Sequence, residues 1–295
     1  MIIKIKRIKI IFIIAIVALL AFSSIITINN LYKVKTVSTK PVIRLPIIMY
    51  HQILKDKKTW GKYVISPDDF EKDLIYFIEN GYTTIDVQDL IDFVYNDKKL
   101  PDKPIMITFD DGYLTSKVYV LPILKKYNVK AVVSIVGKFT DKFTENKDTG
   151  LSYSHMTWDD IKELVNSEHI EIQNHSYDMH KISKRKGIAK LKKESFDEYR
   201  KFLNNDILHM QDLIEKNTGY KPMAFTYPFG SISKDAEPIL RDMGFLALLT
   251  CNEGVNLLSG DKDELFALKR YNRPYGIDRV KFFSSKLIIE EKPEQ

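Results

Sequence analysis

Cysteine is almost absent from this chain: Cys251 is the single one in 295 residues. That excludes an intramolecular disulfide and any multi-cysteine metal site, and it says nothing for or against export. No glycine-rich loop of the kind that cradles phosphate is present, which weakens phosphoryl transfer as a reading. Internal repeats are lacking too, and compositional bias is confined to lysine-rich patches. The formal charge is +6 and the isoelectric point near 9.0. The basic residues are scattered, so no nucleic-acid partner is expected, and an anionic cell-envelope surface suits the charge as well.

What is present begins with a basic segment, residues 1–9, carrying Lys4, Lys6, Arg7 and Lys9. Residues 10–28 (IIFIIAIVALLAFSSIITI) follow without a charge. As a helix rising about 1.5 Å per residue, that run crosses a bilayer core. Positive charge on its N-terminal side keeps that side cytoplasmic and exports the rest. The expectation is a single-pass cell-membrane protein: 1–9 cytoplasmic, 10–28 a transmembrane signal-anchor, 29–42 a polar lysine-rich linker, and 43–295 one extracellular domain. Ala21-Phe22-Ser23 offers a small-x-small cleavage site, in which case the protein is secreted. The apolar run is longer than a usual signal core, which favours the uncleaved anchor.

Beyond the linker, strand and helix signals alternate. Strands are expected at Leu45–Tyr50, Ile105–Phe109, Ala131–Val136, Ile170–Asn174, Met223–Tyr227, Phe245–Thr250 and near Phe266–Arg270. Ser66-Pro67 opens a helix with stripe Phe70, Leu74, Phe77 and Ile78, stopped by Gly81. Further helices are expected over Leu114–Tyr127, after Thr157 with Asp160 completing a capping box, over Leu191–Asn217 up to Gly219, and after Ser233. Repeated strand-helix units imply parallel strands with right-handed crossovers. The fold class is therefore α/β, a distorted or incomplete (β/α) barrel, with a flat doubly wound sheet as the alternative.

In such a barrel, sites are built where strand C-termini converge. His51, Asp110-Asp111, His175 and Tyr227-Pro228-Phe229-Gly230 all follow expected strands. Asp-Asp-Gly alone is an ordinary turn signal. His175 and His180 are five apart, about 140° around a helix, so they converge from a strand end and its turn rather than from one helical face. Two histidines and an aspartate would leave coordination positions open on a metal. His155, His169 and His209 read as surface or hydrogen-bonded core histidines, and Cys251 as a small buried hydrophobe.

Thr108-Phe109-Asp110-Asp111-Gly112-Tyr113, His175-Ser176-Tyr177-Asp178-Met179-His180 and Phe225-Thr226-Tyr227-Pro228-Phe229-Gly230, with LPIIMYHQI upstream and MTWDDIKEL between, resemble the polysaccharide deacetylase family. That family comprises metal-dependent carbohydrate N-deacetylases and esterases. The match runs over roughly Leu45 to Tyr271, in the family's motif order, and the "MYH" start is most similar to the poly-N-acetylglucosamine deacetylase branch. The resemblance implies Asp110 as catalytic base, and Asp111, His175 and His180 as ligands of one divalent ion. Zinc is expected there, with cobalt, nickel or ferrous iron alternatives. It implies Ser176 orienting its loop, and Tyr227, Phe229 and Arg270 near the substrate, with the Phe229 amide on the oxyanion.

The function so implied is removal of N-acetyl groups from N-acetylhexosamine units of a cell-envelope or extracellular polysaccharide, which would be the partner along with the membrane. The alternatives are an O-acetyl polysaccharide esterase or a carbohydrate-binding envelope protein with little turnover. The chain departs from the family at three points. Thr226 stands where an arginine often braces the aspartate, with Arg270 the expected substitute. No late Leu-x-His follows Tyr271, which leaves His51 as the candidate general acid. The histidine spacing is also wider, as in the poly-N-acetylglucosamine branch.

Overall fold

The computed structural model describes residues 42–287. The expected anchor at 10–28, nearly all of the linker and the tail of the expected domain lie outside them. Among the described residues no helix is long and apolar enough to cross a membrane.

Strand β1 (Ile43–Leu45) breaks from β2 (Ile47–Tyr50) at Pro46, where the expected single strand is divided. Short strands β3 (Gln52–Ile53) and β4 (Val64–Ile65) pair with each other. Helix α1 (Pro67–Glu79) starts as expected, the Ser66 side chain accepting the Asp69 N–H and Pro67 at the first position. Strand β5 (Thr83–Ile85) and helix α2 (Val87–Tyr95), opened by an Asp86/Asp89 capping box, were not expected, nor were helix Gly137–Asn146, strand Asn256–Leu258 and helix Arg279–Leu287 below. Strand β6 (Pro104–Phe109) leads to α3 (Leu121–Tyr127), β7 (Ala131–Ile135), α4 (Gly137–Asn146) and α5 (Trp158–Val165), whose Thr157/Asp160 capping box forms as read. Next come β8 (Ile170–Asn174), α6 (Phe196–Thr218), β9 (Ala224–Thr226), α7 (Ala236–Asp242), β10 (Ala247–Leu249), β11 (Asn256–Leu258), β12 (Tyr271–Asn272) and α8 (Arg279–Leu287).

Two expectations are corrected here. Ser233 does not cap α7: its hydroxyl accepts the Lys190 N–H at 2.8 Å, and the helix begins after Asp235. The stretch expected as a last strand at Phe266–Arg270 is mostly a 3-10 helix, Lys262–Ala267, capped by Asp261. Its continuation leaves the ladder because the Lys269 N–H donates to the Asn256 side chain and the Arg270 N–H to the Asn252 carbonyl.

The main sheet is parallel, in the order β10-β9-β8-β7-β6-β2-β12, with β5 also on β6. Strands follow one another in chain order and the last lies beside the first. This is the closing order of a barrel, whereas a doubly wound sheet reverses its order at a switch point. Closure is irregular: Leu268 bridges Leu249 on β10, and Tyr271-Asn272 pair with Ile48-Met49 on β2. The expected distorted barrel is what forms, and residues 268–272 are its seam.

Alternation along the strands divides the core. Ile105, Ile107, Phe109, Val133 and Ile135 pack with α1, α3 and α5, whereas Met106 and Val132 belong to the other cluster. The two-residue period puts Thr108 and Asp110 on the Met106 face, pointing inward. Lower on the sheet, Glu171 of β8 accepts N–H bonds from Val87 and Gln88 at the start of α2, and the Tyr220 hydroxyl bond at 2.6 Å. Burial, reinforced by the Asp86 charge, pushes its carboxyl up to about 7 from an ordinary 4.5. The folded state therefore holds a proton that the unfolded chain has released. The associated stability is complete below about pH 4.5 and is lost as pH rises through about 7, at up to about 1.4 kcal/mol per pH unit. Urea unfolding from pH 4 to 8 should show this decline in the wild type and a flatter profile in Glu171→Gln; matching profiles would remove Glu171 as its source.

Candidate active site

Each expected site residue can be placed from the strand that carries it. The Asp110 N–H donates to the Tyr50 carbonyl at 3.1 Å, extending the β2–β6 ladder by one step and bringing His51 alongside Asp110. Asp111 then turns into the left-handed region with φ 73°, and Gly112 follows at 74°. A Cβ on Gly112 would come within 2.9 Å of Ile135 Cγ2, so only glycine lets this turn lie against β7. The left-handed backbone at Asp111 is strained for a side-chain-bearing residue, a feature that concentrates at functional sites.

The second motif is built the same way. The His175 N–H continues the β7–β8 ladder to the Ile135 carbonyl, and Ser176 turns left-handed with φ 76°. The Ser176 N–H donates to Asn174 Oδ1 at 2.8 Å, and the Ser176 hydroxyl accepts the Met179 N–H at 3.2 Å. Asp206 of α6 was not foreseen. Its carboxylate accepts the Tyr177 N–H at 2.7 Å and the Asp178 N–H at 2.8 Å, clamping the loop between the two histidines. Nothing in the α6 sequence marks this residue, because a mid-helix aspartate reads as solvated.

Asp111, His175 and His180 converge, their ligating atoms all within 4.8 Å of one another. Asp111 Oδ1 is 3.5 Å from His175 Nε2 and 3.0 Å from His180 Nε2, yet it is buried without a hydrogen-bond partner. His175 Nδ1 lies 2.8 Å from the Thr226 carbonyl. Since a carbonyl only accepts, Nδ1 carries a proton, and Nε2 is the nitrogen turned toward Asp111. Burial opposes ionisation of Asp111, but the two imidazoles outweigh it and hold its carboxyl well below the usual range. For His180, burial is likewise outweighed, here by Asp111, and the imidazole is raised. An orphaned carboxylate oxygen facing two imidazole nitrogens, one tautomer fixed from behind, is the donor set a divalent cation fits.

Asp110 is held from the seam. Arg270 Nη1 and Nη2 donate to its two carboxylate oxygens at 2.7 and 2.8 Å. Arg270 also reaches Thr108 Oγ1 at 3.2 Å and, through Nε, the Thr250 carbonyl at 2.8 Å. Burial raises the Asp110 carboxyl, Arg270 more than reverses this, and the group stays below its ordinary value. His51 feels the same pocket: burial lowers its pKa, with Asp110 and Asp111 opposing.

Two of the expected substrate contacts are corrected. Arg270 is 0% exposed and spends its donors on Asp110, so it cannot meet a substrate. Tyr227 is 1% exposed, its ring against Phe225 in the core. Phe229 does border the site, with left-handed backbone (φ 57°) and its ring 4.2 Å from that of His180. The other histidines separate. His169 meets the Val129 carbonyl at 3.0 Å and His209 packs on Tyr177. His155 has neither a surface position nor hydrogen-bond partners: it is buried, stacked on Tyr113 at 4.6 Å and against Phe139 at 4.5 Å, and burial lowers it to about 4. Cys251 is exposed rather than buried, its sulfur 3.8 Å from Arg270 Nη2.

Removing one partner of a buried ion pair strands the other charge. Arg270→Ala should therefore lower unfolding free energy by about 3–5 kcal/mol, with Asp110→Asn/Arg270→Met recovering much of it. Urea titrations of the metal-free protein measure both, and a loss below about 1 kcal/mol would put the pair in the class of solvent-screened ones. For the loop clamp, Asp206→Ala should weaken zinc affinity by about 10–100-fold in chelator-competition titrations; unchanged affinity would mean the loop holds its own shape.

The model of the polysaccharide deacetylase family matches residues 97–248, just over half of the chain. YxkH of Bacillus subtilis, which carries a provisional polysaccharide deacetylase name, is 26% identical over 235 residues, covering 79% of this chain and 73% of that protein. The poly-beta-1,6-N-acetyl-D-glucosamine N-deacetylase of Escherichia coli K12 is 24% identical over 237 residues, covering 74% of this chain but 34% of its own length, so the chain spans about a third of that relative. In fold, the chain is similar to a de-N-acetylase from Aggregatibacter actinomycetemcomitans, with TM-score 0.69, 24% identity, and 81% and 99% of the two chains covered. With the family model lying across β6 to β10 and both acidic and histidine motifs inside it, the chain belongs to the polysaccharide deacetylase family.

Proposed function

We propose that this polysaccharide deacetylase removes N-acetyl groups from N-acetylhexosamine units of an extracellular or cell-envelope polysaccharide. One observation carries the reading: an ionised, arginine-braced Asp110 adjoins the convergent Asp111, His175 and His180. The similarity to poly-N-acetylglucosamine deacetylases supports an amide rather than an ester as the target. The segment 10–28 would keep the domain at the outer face of the cell membrane.

Asp111, His175 and His180 would hold one divalent ion, for which zinc suits the ligand types. When bound, it supplies Lewis acidity to the acetamide carbonyl and to an attacking water. Asp110 takes the proton of that water. Its two oxygens are fixed by Arg270 yet keep lone pairs free, so the base is both ionised and oriented. His51 returns a proton to the departing amine, which must leave neutral. The Phe229 backbone, turned left-handed beside His180, offers an amide to the developing oxyanion.

Acetate release from N-acetylglucosamine oligomers and from O-acetylated xylan, with metal analysis, tests the reading. Activity on the oligomers is expected, and activity on xylan alone would make the protein an esterase. Asp110→Asn should retain metal and lose about 10²–10⁴ in kcat, whereas His175→Ala should lose both; equal metal loss in the two would overturn the assignment. His51→Ala should cripple amide cleavage and spare an activated aryl acetate, whose leaving group needs no proton.

A further inference from the structure

Beside His51 lies an aromatic surface that the chemistry leaves unused. Among the described residues, four large aromatic side chains are conspicuously exposed: Tyr153 at 54%, Tyr63 at 47%, Phe196 at 39% and Tyr275 at 37%. Two of these flank one loop. The Tyr63 ring lies 4.6 Å from the His51 ring, and the Tyr275 ring lies 4.9 Å from that of Trp60. The loop is held tightly for a surface segment. Trp60 Nε1 donates to the Leu54 carbonyl at 2.7 Å, the Gly61 N–H to Val64 at 2.9 Å, and the Tyr275 N–H to Gly61 at 2.9 Å. Asn272 Nδ2, on the seam, donates to the Lys62 carbonyl at 2.8 Å.

Rigid exposed aromatic rings present large apolar area at small entropic cost. The C–H face of a pyranose ring is the natural occupant, and the shelf begins one ring away from the candidate acid. Charge narrows the choice further. Lys62 Nζ lies over one face of the Tyr63 ring, 5.0 Å from its centroid, and has no acidic partner among the described residues. An ammonium-bearing sugar placed there meets that cation, whereas an acetylated sugar is neutral.

We infer that Trp60, Tyr63 and Tyr275 form a stacking subsite for a neighbouring, still acetylated sugar of the polymer, next to the unit being deacetylated. The inference rests on the function proposed above, but binding can be read without turnover. Of the two tryptophans, Trp158 is 8% exposed, so Trp60 is the one able to report on ligand.

In full-length Trp158→Phe protein, titration with N-acetylglucosamine tetramer should change Trp60 fluorescence, and the fully deacetylated tetramer should bind about tenfold more weakly or less. Tyr275→Ala should abolish most of the response, and Tyr275→Phe should retain it. In turnover, kcat/KM should rise with oligomer length in the wild type, and Tyr275→Ala should lose about tenfold on the long oligomers. A length dependence that survives Tyr275→Ala, or equal binding of acetylated and deacetylated tetramers, overturns the subsite. Binding as described without any acetate release would instead leave the subsite standing and overturn the proposed function.

Discussion

Arg270 and Asp110 meet out of reach of solvent, two parallel N–H···O bonds at the mouth of a parallel sheet. Two successive carboxylates, Asp110 and Asp111, are both buried there, and like charges at that spacing in a low-dielectric pocket cannot both ionise unaided. The guanidinium neutralises the first. The second is left facing imidazoles, in need of positive charge, which is the electrostatic condition for a cation site. Asp110 and Asp111 are thus set apart by which carboxylate the arginine occupies, more than by their places in the chain.

That pair also explains the deviation of the barrel from regularity. A ladder-forming strand at residues 266–270 would spend its backbone on β10 and alternate its side chains between faces. Here a 3-10 helix, an asparagine side chain and a single bridge replace the strand, and Arg270 can lie with its Nε on the Thr250 carbonyl and its fork on Asp110. The Thr226 hydroxyl takes no part in holding Asp110 and shares a hydrogen bond with Ser134 at 2.7 Å.

Much of this was legible in the residues. The alternation of Ile105 to Asp110 and the glycine after the two aspartates carry strand, turn and inward direction together, because the two-residue period and the positive φ are local properties. The capping boxes and helix stops are local too, as at Ser66, Thr157 and Gly219. What escaped depends on distant partners. Strand β5 has three residues, too few to show a period. The resemblance implies Tyr227 near the substrate, yet the turn sends its ring into the core and leaves Phe229 at the site. The exposure of Cys251 and the burial of His155 follow from the seam and from Tyr113 and Phe139, none of which a sequence window contains. The family resemblance supplied the roles of Asp110 and Asp111; spacing alone would not have divided them.

The arginine that completes the pocket stands 160 residues beyond the aspartate it holds. A chain emerging from its N-terminal end therefore makes β6, both aspartates and both histidines well before residue 270 exists. Until the seam arrives, Asp110 is an uncompensated charge at the centre of a sheet whose first strand still lacks its outer neighbour. Contacts of such long sequence separation carry a loop-closure entropy cost that slows folding. A product ending before residue 270 would carry Asp110, Asp111, His175 and His180 without the arginine that braces Asp110.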